Sequence, residues 1–274
     1  MGNAVGYRRR CFETVPLWAL IKDAAVFYTS LNVFRSGTYF TPEIGNGGEF
    51  RSDRAAQIVA GVRGTAVKSI TRDDTFHDYL NSNSLYQNLE MHANGSDEEF
   101  FLSCWIEKPS YQGFAQTIFC SGLLNQTSIS KYRIGIGGTK LAFISFLGAA
   151  SNSVKLTRLS KVAVDSLPQY LSSGHNNYLS YYNGDISNPI IKLFLNGVEV
   201  ALDDLDTRDG QNNRTYTGLT TASFEFSMMG TLPKNAGTIL SGSLDELLIC
   251  KGLEADAELA SYIFNNDVGT LITE

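Results

Sequence analysis

The chain has 274 residues, enough for one large core, and an all-β sandwich of that size is ordinary as a single domain. Only 18% of residues are charged, 43% are hydrophobic, and the chain carries 16 Phe, 13 Tyr and 25 Gly; this balance excludes disorder and suits sheets joined by tight turns. A net charge of -6 gives no footprint for nucleic acid, and no stretch reaches the ~18 uncharged apolar residues of a membrane span.

Four cysteines, Cys11, Cys104, Cys120 and Cys250, form no C-x-x-C pair, so a zinc site is not supported. The last three lie in apolar, strand-like runs and read as buried reduced thiols. Residues 1–20 read as an N-terminal arm, basic and aromatic in an acidic chain. The arm is either a solvated tail or a docking segment in which Arg8, Arg9, Arg10 and Phe12 lie on a partner. The apolar run behind it, residues 15–21, is short and bounded by Glu13 and Lys22-Asp23, so no signal peptide is predicted. Residues 21–274 form the single domain expected here, because no period of 20 to 50 residues repeats.

Short strands are predicted over residues 24–28, 32–34 and 55–59, the first two separated from the third by the turn-rich stretch from Pro42 to Gly48. Residues 61–67 form a further extended segment. Residues 100–106 (Phe-Phe-Leu-Ser-Cys-Trp-Ile) make the strongest strand by composition, apolar on both faces apart from Ser103, and Pro109 stops it. Trp105 is then a core residue in preference to a ligand platform. Residues 116–120 follow. Tyr132, Ile134 and Ile136 alternate with Lys131, Arg133 and Gly135 as in a half-buried strand, and residues 141–147 return after Gly137-Gly138.

Residues 151–165 are polar and read as a loop with a strand. Residues 172–178 read as a loop, and His175, Asn176, Asn177 and Tyr178 in it are the candidate ligand-binding residues. Residues 190–200 spell strand, Asn196-Gly197 turn, strand: the strongest short-range hairpin signal, with Leu195 in the core and Gly197 in the turn. The acidic loop that follows offers Asp203, Asp204, Asp206 and Asp209 as candidate calcium ligands, although Arg208 breaks the EF-hand pattern and a plain solvated loop is the simpler reading. Residues 223–228 are a strand. Residues 242–249 are another, Leu244 facing the core. A short helix follows directly, with Leu253, Leu259, Tyr262 and Ile263 on one face and Glu254, Asp256 and Glu258 in its first turns.

This strand-helix ending, Gly242, Leu244, Asp245, Glu246, Leu253, Glu258, Leu259 and Tyr262, resembles the closing motif of the laminin-G-like, concanavalin A-like jelly-roll superfamily. The earlier elements, from Gly61 onward, resemble that family's strands in order. Glu254 stands where the family has a serine cap, and Tyr178 stands where it has Trp-His. The resemblance implies an all-β, two-sheet antiparallel jelly-roll sandwich with a short C-terminal helix.

The superfamily includes glucan hydrolases, which need two carboxylates on one strand pointing the same way. Asp245 and Glu246 are adjacent, and regular alternation sends them to opposite faces. The three histidines are far apart in sequence, and neither a Gly-x-Ser-x-Gly elbow nor a His-Glu-x-x-His motif occurs. The sequence therefore predicts no enzyme. The leading expectation is a structural or appendage protein of a bacteriophage virion: a capsid decoration, head fibre, collar or tail-fibre component at the virion surface, assembled in the host cytoplasm. Its partners are other virion proteins or further copies of itself, with host-surface glycans as a secondary contact. The second reading is a free, calcium-assisted carbohydrate-binding module. A glucan hydrolase ranks last.

Overall fold

In the computed structural model, the structure describes residues 15–31, 39–40, 42–45, 50–52, 57–68, 80–82, 91–93, 96–107, 116–122, 130–136, 143–147, 155–159, 174–202, 216, 218–219, 225–229, 240 and 242–273. In chain order the elements are α1 (Leu17–Ala24), β1 (Ala25–Thr29), β2 (Tyr39–Phe40), β3 (Phe50–Ser52), β4 (Gln57–Ala60), β5 (Thr65–Lys68), β6 (Leu80–Ser82), β7 (His92–Ala93), β8 (Ser96–Asp97) and β9 (Phe100–Glu107). They continue with β10 (Gln116–Gly122), β11 (Ser130–Ile136), β12 (Phe143–Leu147), β13 (Lys155–Leu159), β14 (His175–Tyr182), β15 (Ile191–Leu195), β16 (Val198–Glu199), β17 (Glu225–Met228), β18 (Ser243–Lys251), α2 (Ala257–Asn265) and α3 (Val268–Thr273).

The fold is the two-sheet antiparallel jelly-roll sandwich expected from the sequence. Sheet A runs β16-β15-β14-β9-β18-β5-β4, with β1 also on β18; sheet B runs β13-β12-β11-β10-β17-β6-β3-β2. Alternation along the central strands of sheet A sorts their side chains into two apolar layers. Phe100, Leu102, Cys104 and Ile106 of β9 and Leu244, Leu247 and Ile249 of β18 face sheet B, meeting Ile118, Phe119 and Met228. Phe101 of β9, Leu179 and Tyr181 of β14, and Leu248 and Cys250 of β18 face outward. There they meet Ile21 of α1, Leu259, Ala260 and Ile263 of α2, and Val268 and Ile272 of α3. The C-terminal helix therefore covers the outer face of sheet A.

Strand β18 lies in the middle of sheet A, paired with β9 along one edge. Its other edge is divided: β5 takes Ser243 and Leu244, and β1 takes Leu247 to Cys250. A bulge falls at the division. Asp245 faces Trp105 and Leu247 faces Cys104, leaving Glu246 as the extra residue, with φ at 42°. The bulge restores the alternation, so that Leu244, three residues before Leu247, faces the same core.

Local rules account for the other joints. Asn196 and Gly197 have φ values of 50° and 79° and form the two-residue turn between β15 and β16. A Cβ on Gly197 would sit 3.0 Å from the Cα of Ser261, so the same glycine lets α2 approach the hairpin. Helix α2 starts later than predicted. Its cap is Asp256, whose carboxylate accepts the N–H of Leu259 at 2.9 Å, and Glu254 lies outside the helix. Helix α1 crosses the predicted arm boundary at residue 20, with Ile21 fully buried. Among the described residues, no helix is long and apolar enough to cross a membrane.

Candidate functional site

The outer face of sheet A carries two polar groupings, one packed against the helices and one beyond them. The first surrounds the β18 bulge. Asp245 is fully buried; its Oδ2 accepts the backbone N–H of Val62 at 2.6 Å and of Arg63 at 3.4 Å, and its Oδ1 accepts that of Glu246 at 2.9 Å. A Cβ on Gly61 would collide with that carboxylate, so glycine is required for the approach. Glu246 accepts the Tyr28 hydroxyl at 3.2 Å and pairs with Arg63 Nη1 at 3.1 Å. The two carboxylates thus converge on the turn at residues 61–64. Opposite faces were expected; the bulge, which inserts Glu246 at positive φ, is the physical reason for the difference.

Arg63 ties this grouping to the helices. Its Nη2 donates to the carbonyl of Asn266, Nη1 lies 3.7 Å from Asp267, and its guanidinium sits 5.5 Å from the centre of the Trp105 ring. Trp105 stacks on Phe264 of α2, centroids 5.6 Å apart and planes at 28°. It is buried between sheet A and the helices, outside the layer between the two sheets. Burial pushes the Glu246 carboxyl up to about 7; Arg63 opposes the rise, and Asp245 and Asp267 add to it. Burial also raises Asp245, against its three backbone donors. A cavity of about 10 Å³ lined by Tyr28, Ser103, Trp105, Glu246 and Ile263 has room for one water. This grouping is built to hold elements together.

The second grouping is open to solvent. His175, Glu107, Ser243 and Lys68 stand at the ends of four neighbouring strands, β14, β9, β18 and β5, in one row across sheet A. His175 pairs with Glu107 and Ser243 with Lys68. Ser243 Oγ lies 2.9 Å from His175 Nε2 and 3.1 Å from Glu107 Oε2. A consistent proton arrangement has the hydroxyl donate to Glu107 and accept from His175 Nε2. Lys68 Nζ is 3.7 Å from Glu107 Oε2, and the two side chains are 39% and 41% exposed. Ser243 itself is fully buried, so its hydroxyl fixes its neighbours and is not presented as a nucleophile. A Cβ at Gly174, beside His175, would meet nothing within 4 Å, so the surface here is open.

Of the four ligand candidates, His175 alone is more than marginally exposed. Residues 175–178 lie in β14, not in a loop as predicted. Asn176, Asn177 and Tyr178 are 0%, 1% and 2% exposed. Asn196 Oδ1 accepts the Asn177 N–H at 2.9 Å, Asn196 Nδ2 donates to Asn176 Oδ1 at 2.9 Å, and Asn177 Nδ2 donates to Ser103 Oγ at 3.0 Å. Both asparagines hold the hairpin, and Tyr178 packs in the layer between the sheets. Leu195 and Leu244 lie in that layer also; Leu259 is on the buried face of α2, against sheet A, and Tyr262 of the same helix is half-buried. The candidate calcium ligands Asp203, Asp204, Asp206 and Asp209 and the arm residues Arg8, Arg9, Arg10 and Phe12 lie outside the described residues, as does the strand predicted at 32–34. Among the described residues, no group of three or more His, Cys, Asp or Glu side chains is arranged to hold a metal ion. Lys68, Glu107 and Ser243 were not singled out from the sequence. They are distant along the chain, and only strand pairing unites them.

No protein-family model matches the sequence, and no curated protein matches it. Solved structures do match its fold. Trypanosoma rangeli sialidase in complex with 2,3-difluorosialic acid, a covalent intermediate, aligns with a TM-score of 0.55 at 9% identity over 90% of this chain and 34% of the sialidase chain. A botulinum neurotoxin type C structure, concerned with cell entry through two ganglioside molecules, aligns at 0.55 and 14% identity over 90% of this chain and 52% of the toxin chain. The binding domain of botulinum neurotoxin DC in complex with SialylT aligns at 0.55 and 14% identity, over 89% and 51%. The chain therefore spans about a third of the sialidase chains and about half of the toxin chains it matches. At these identities the likeness shows the fold alone. It does correct one expectation. Sialidases are enzymes, and this sandwich matches part of their chains, so the missing motifs do not make the chain non-enzymatic.

Proposed function

We propose that this chain is a glycan-binding β-sandwich whose ligand rests on Lys68, Glu107 and His175 at the open end of sheet A. The observation that carries the reading is the row itself: an ammonium, a carboxylate and an imidazole held side by side on neighbouring strands, with the buried Ser243 hydroxyl bridging two of them. Sugar hydroxyls need donors and acceptors together, and groups fixed on strands present them with less ordering cost than groups on loops. The toxin structures described with gangliosides and with SialylT support the reading, since they share this sandwich.

The setting inferred from the sequence belongs to the same proposal: a protein of a bacteriophage virion surface, with residues 1–20 as its anchoring arm and other virion proteins or further copies of itself as partners. Calcium held by the loop from Asp203 to Asp209 is the variant of the proposal in which the metal assists the sugar. A glycan array probed with the full chain, in calcium and in chelator, tests the reading. Selective glycan binding that weakens at least tenfold in both Lys68→Ala and His175→Ala supports it. Binding that neither substitution changes, or no binding to any glycan, overturns it. Loss in chelator assigns a part to calcium. Incorporation of a chain lacking residues 1–20 into particles, at the level of the full chain, would rule out the anchoring arm.

A further inference from the structure

Resting on that glycan-binding reading, we infer that the row selects neutral, hydroxyl-rich sugars over acidic ones, and that Glu107 enforces the choice. The argument begins with a gap. Lys68 Nζ and Glu107 Oε2 are 3.7 Å apart, too far for a direct hydrogen bond. One hydroxyl oxygen placed about 2.8 Å from each closes that gap, accepting from the ammonium and donating to the carboxylate. Glu107 is also held still: its Oε2 accepts from Ser243, whose oxygen is in turn bonded to His175. Among the described residues, no hydrogen bond occupies Glu107 Oε1, so the carboxylate offers a second acceptor to a neighbouring hydroxyl. A pair of adjacent sugar hydroxyls matches this fork.

An acidic sugar meets the opposite situation. Its carboxylate could use Lys68 only by coming within a few ångströms of Glu107, and like charges that close repel. Among the described residues, the next cation along the sheet, Arg63, is committed to Glu246, the Asn266 carbonyl and Asp267. Asp245, two residues beyond Ser243 on the same face, adds a further negative charge to the neighbourhood. Among the described residues, the row thus holds one exposed ammonium already balanced by a carboxylate, and its other basic group, the His175 imidazole, is engaged by the Ser243 hydroxyl.

Matched oligosaccharide pairs, identical except for a terminal sialic acid, separate the possibilities in binding titrations with the wild-type chain and Glu107→Gln. Glutamine keeps the acceptor oxygen and removes the charge, and the side chain is 41% exposed, so the fold is not at stake. Wild type should bind the neutral member roughly tenfold or more tighter, the scale set by one close like-charge contact near a protein surface. Glu107→Gln should bring the two members within about threefold of each other, the repulsive part of the preference being gone. Equal or tighter binding of the sialylated member by wild type overturns the inference while leaving glycan binding intact. An unchanged ratio in Glu107→Gln also overturns it. Binding of neither member by wild type removes the glycan-binding reading beneath it.

Discussion

Replacing Glu246 with glutamine should flatten the pH dependence of this protein's stability. Glu246 is 7% exposed, and burial raises its carboxyl from 4.5 to about 7, with Arg63 opposing the rise and Asp245 and Asp267 adding to it. An acid whose affinity for protons is higher when folded contributes stability that is fully present below its unfolded value. That contribution is lost as pH rises through the folded value. The window here runs from pH 4.5 to about 7, and at about 1.4 kcal/mol per tenfold change in proton affinity the loss amounts to about 3 kcal/mol. Asp245 is shifted in the same direction and adds to the slope. The facing hydroxyl does not cancel the effect: Tyr28 is pushed well above its ordinary range and stays neutral. Urea unfolding of the full chain at a series of pH values from 4.5 to 8 measures the slope directly. Wild type should lose stability toward pH 8, whereas Glu246→Gln should lose much less and exceed wild type at pH 8. An identical slope in the two proteins would refute the assignment of the titration to Glu246.

Two further substitutions test the layer beneath the helices and the clasp at one end of the sheet. Trp105→Ala removes a buried indole that stacks on Phe264 and lies beneath Arg63; it should cost about 3–5 kcal/mol by urea unfolding. Trp105→Phe should recover a good part of that loss, and a cost below about 1 kcal/mol for the alanine variant would show that α2 does not depend on the stack. Asp97 accepts the hydroxyls of Tyr182 at 2.8 Å and Tyr216 at 2.6 Å and the N–H of Leu219 at 2.7 Å. Asp97→Ala leaves all three donors buried without that acceptor and should destabilise by about 3 kcal/mol or more. Unfolding midpoints equal to wild type would contradict the clasp.

The strands were legible where one rule decided them. The apolar run at 100–106, the strand read over 131–136 and the Asn196-Gly197 turn each appear where predicted. The helix after β18 was also legible, and its true cap could have been chosen: the short carboxylate of Asp256 suits an N-cap better than the longer Glu254. Residues 175–177 were misread because two adjacent asparagines look like loop. Their side chains are instead consumed within the hairpin by Asn196 and Ser103, a pairing no local pattern announces. The bulge was illegible for a related reason. Leu-Asp-Glu-Leu is compatible with plain alternation, and only the division of one edge of β18 between β5 and β1 makes room for the extra residue. Of the open row only His175 was legible; Lys68, Glu107 and Ser243 join it through three strand pairings and share no local spacing with it.

Backbone amide shifts followed by NMR during titration of the full chain with a glycan that it retains on an array test the central claim most directly. Binding at the end of sheet A predicts the largest shifts at Lys68, Glu107, His175 and Ser243, with little change at the far ends of the same strands, such as Tyr182 and Lys251. Largest shifts in sheet B, or at the β15–β16 turn with none in the row, would contradict it.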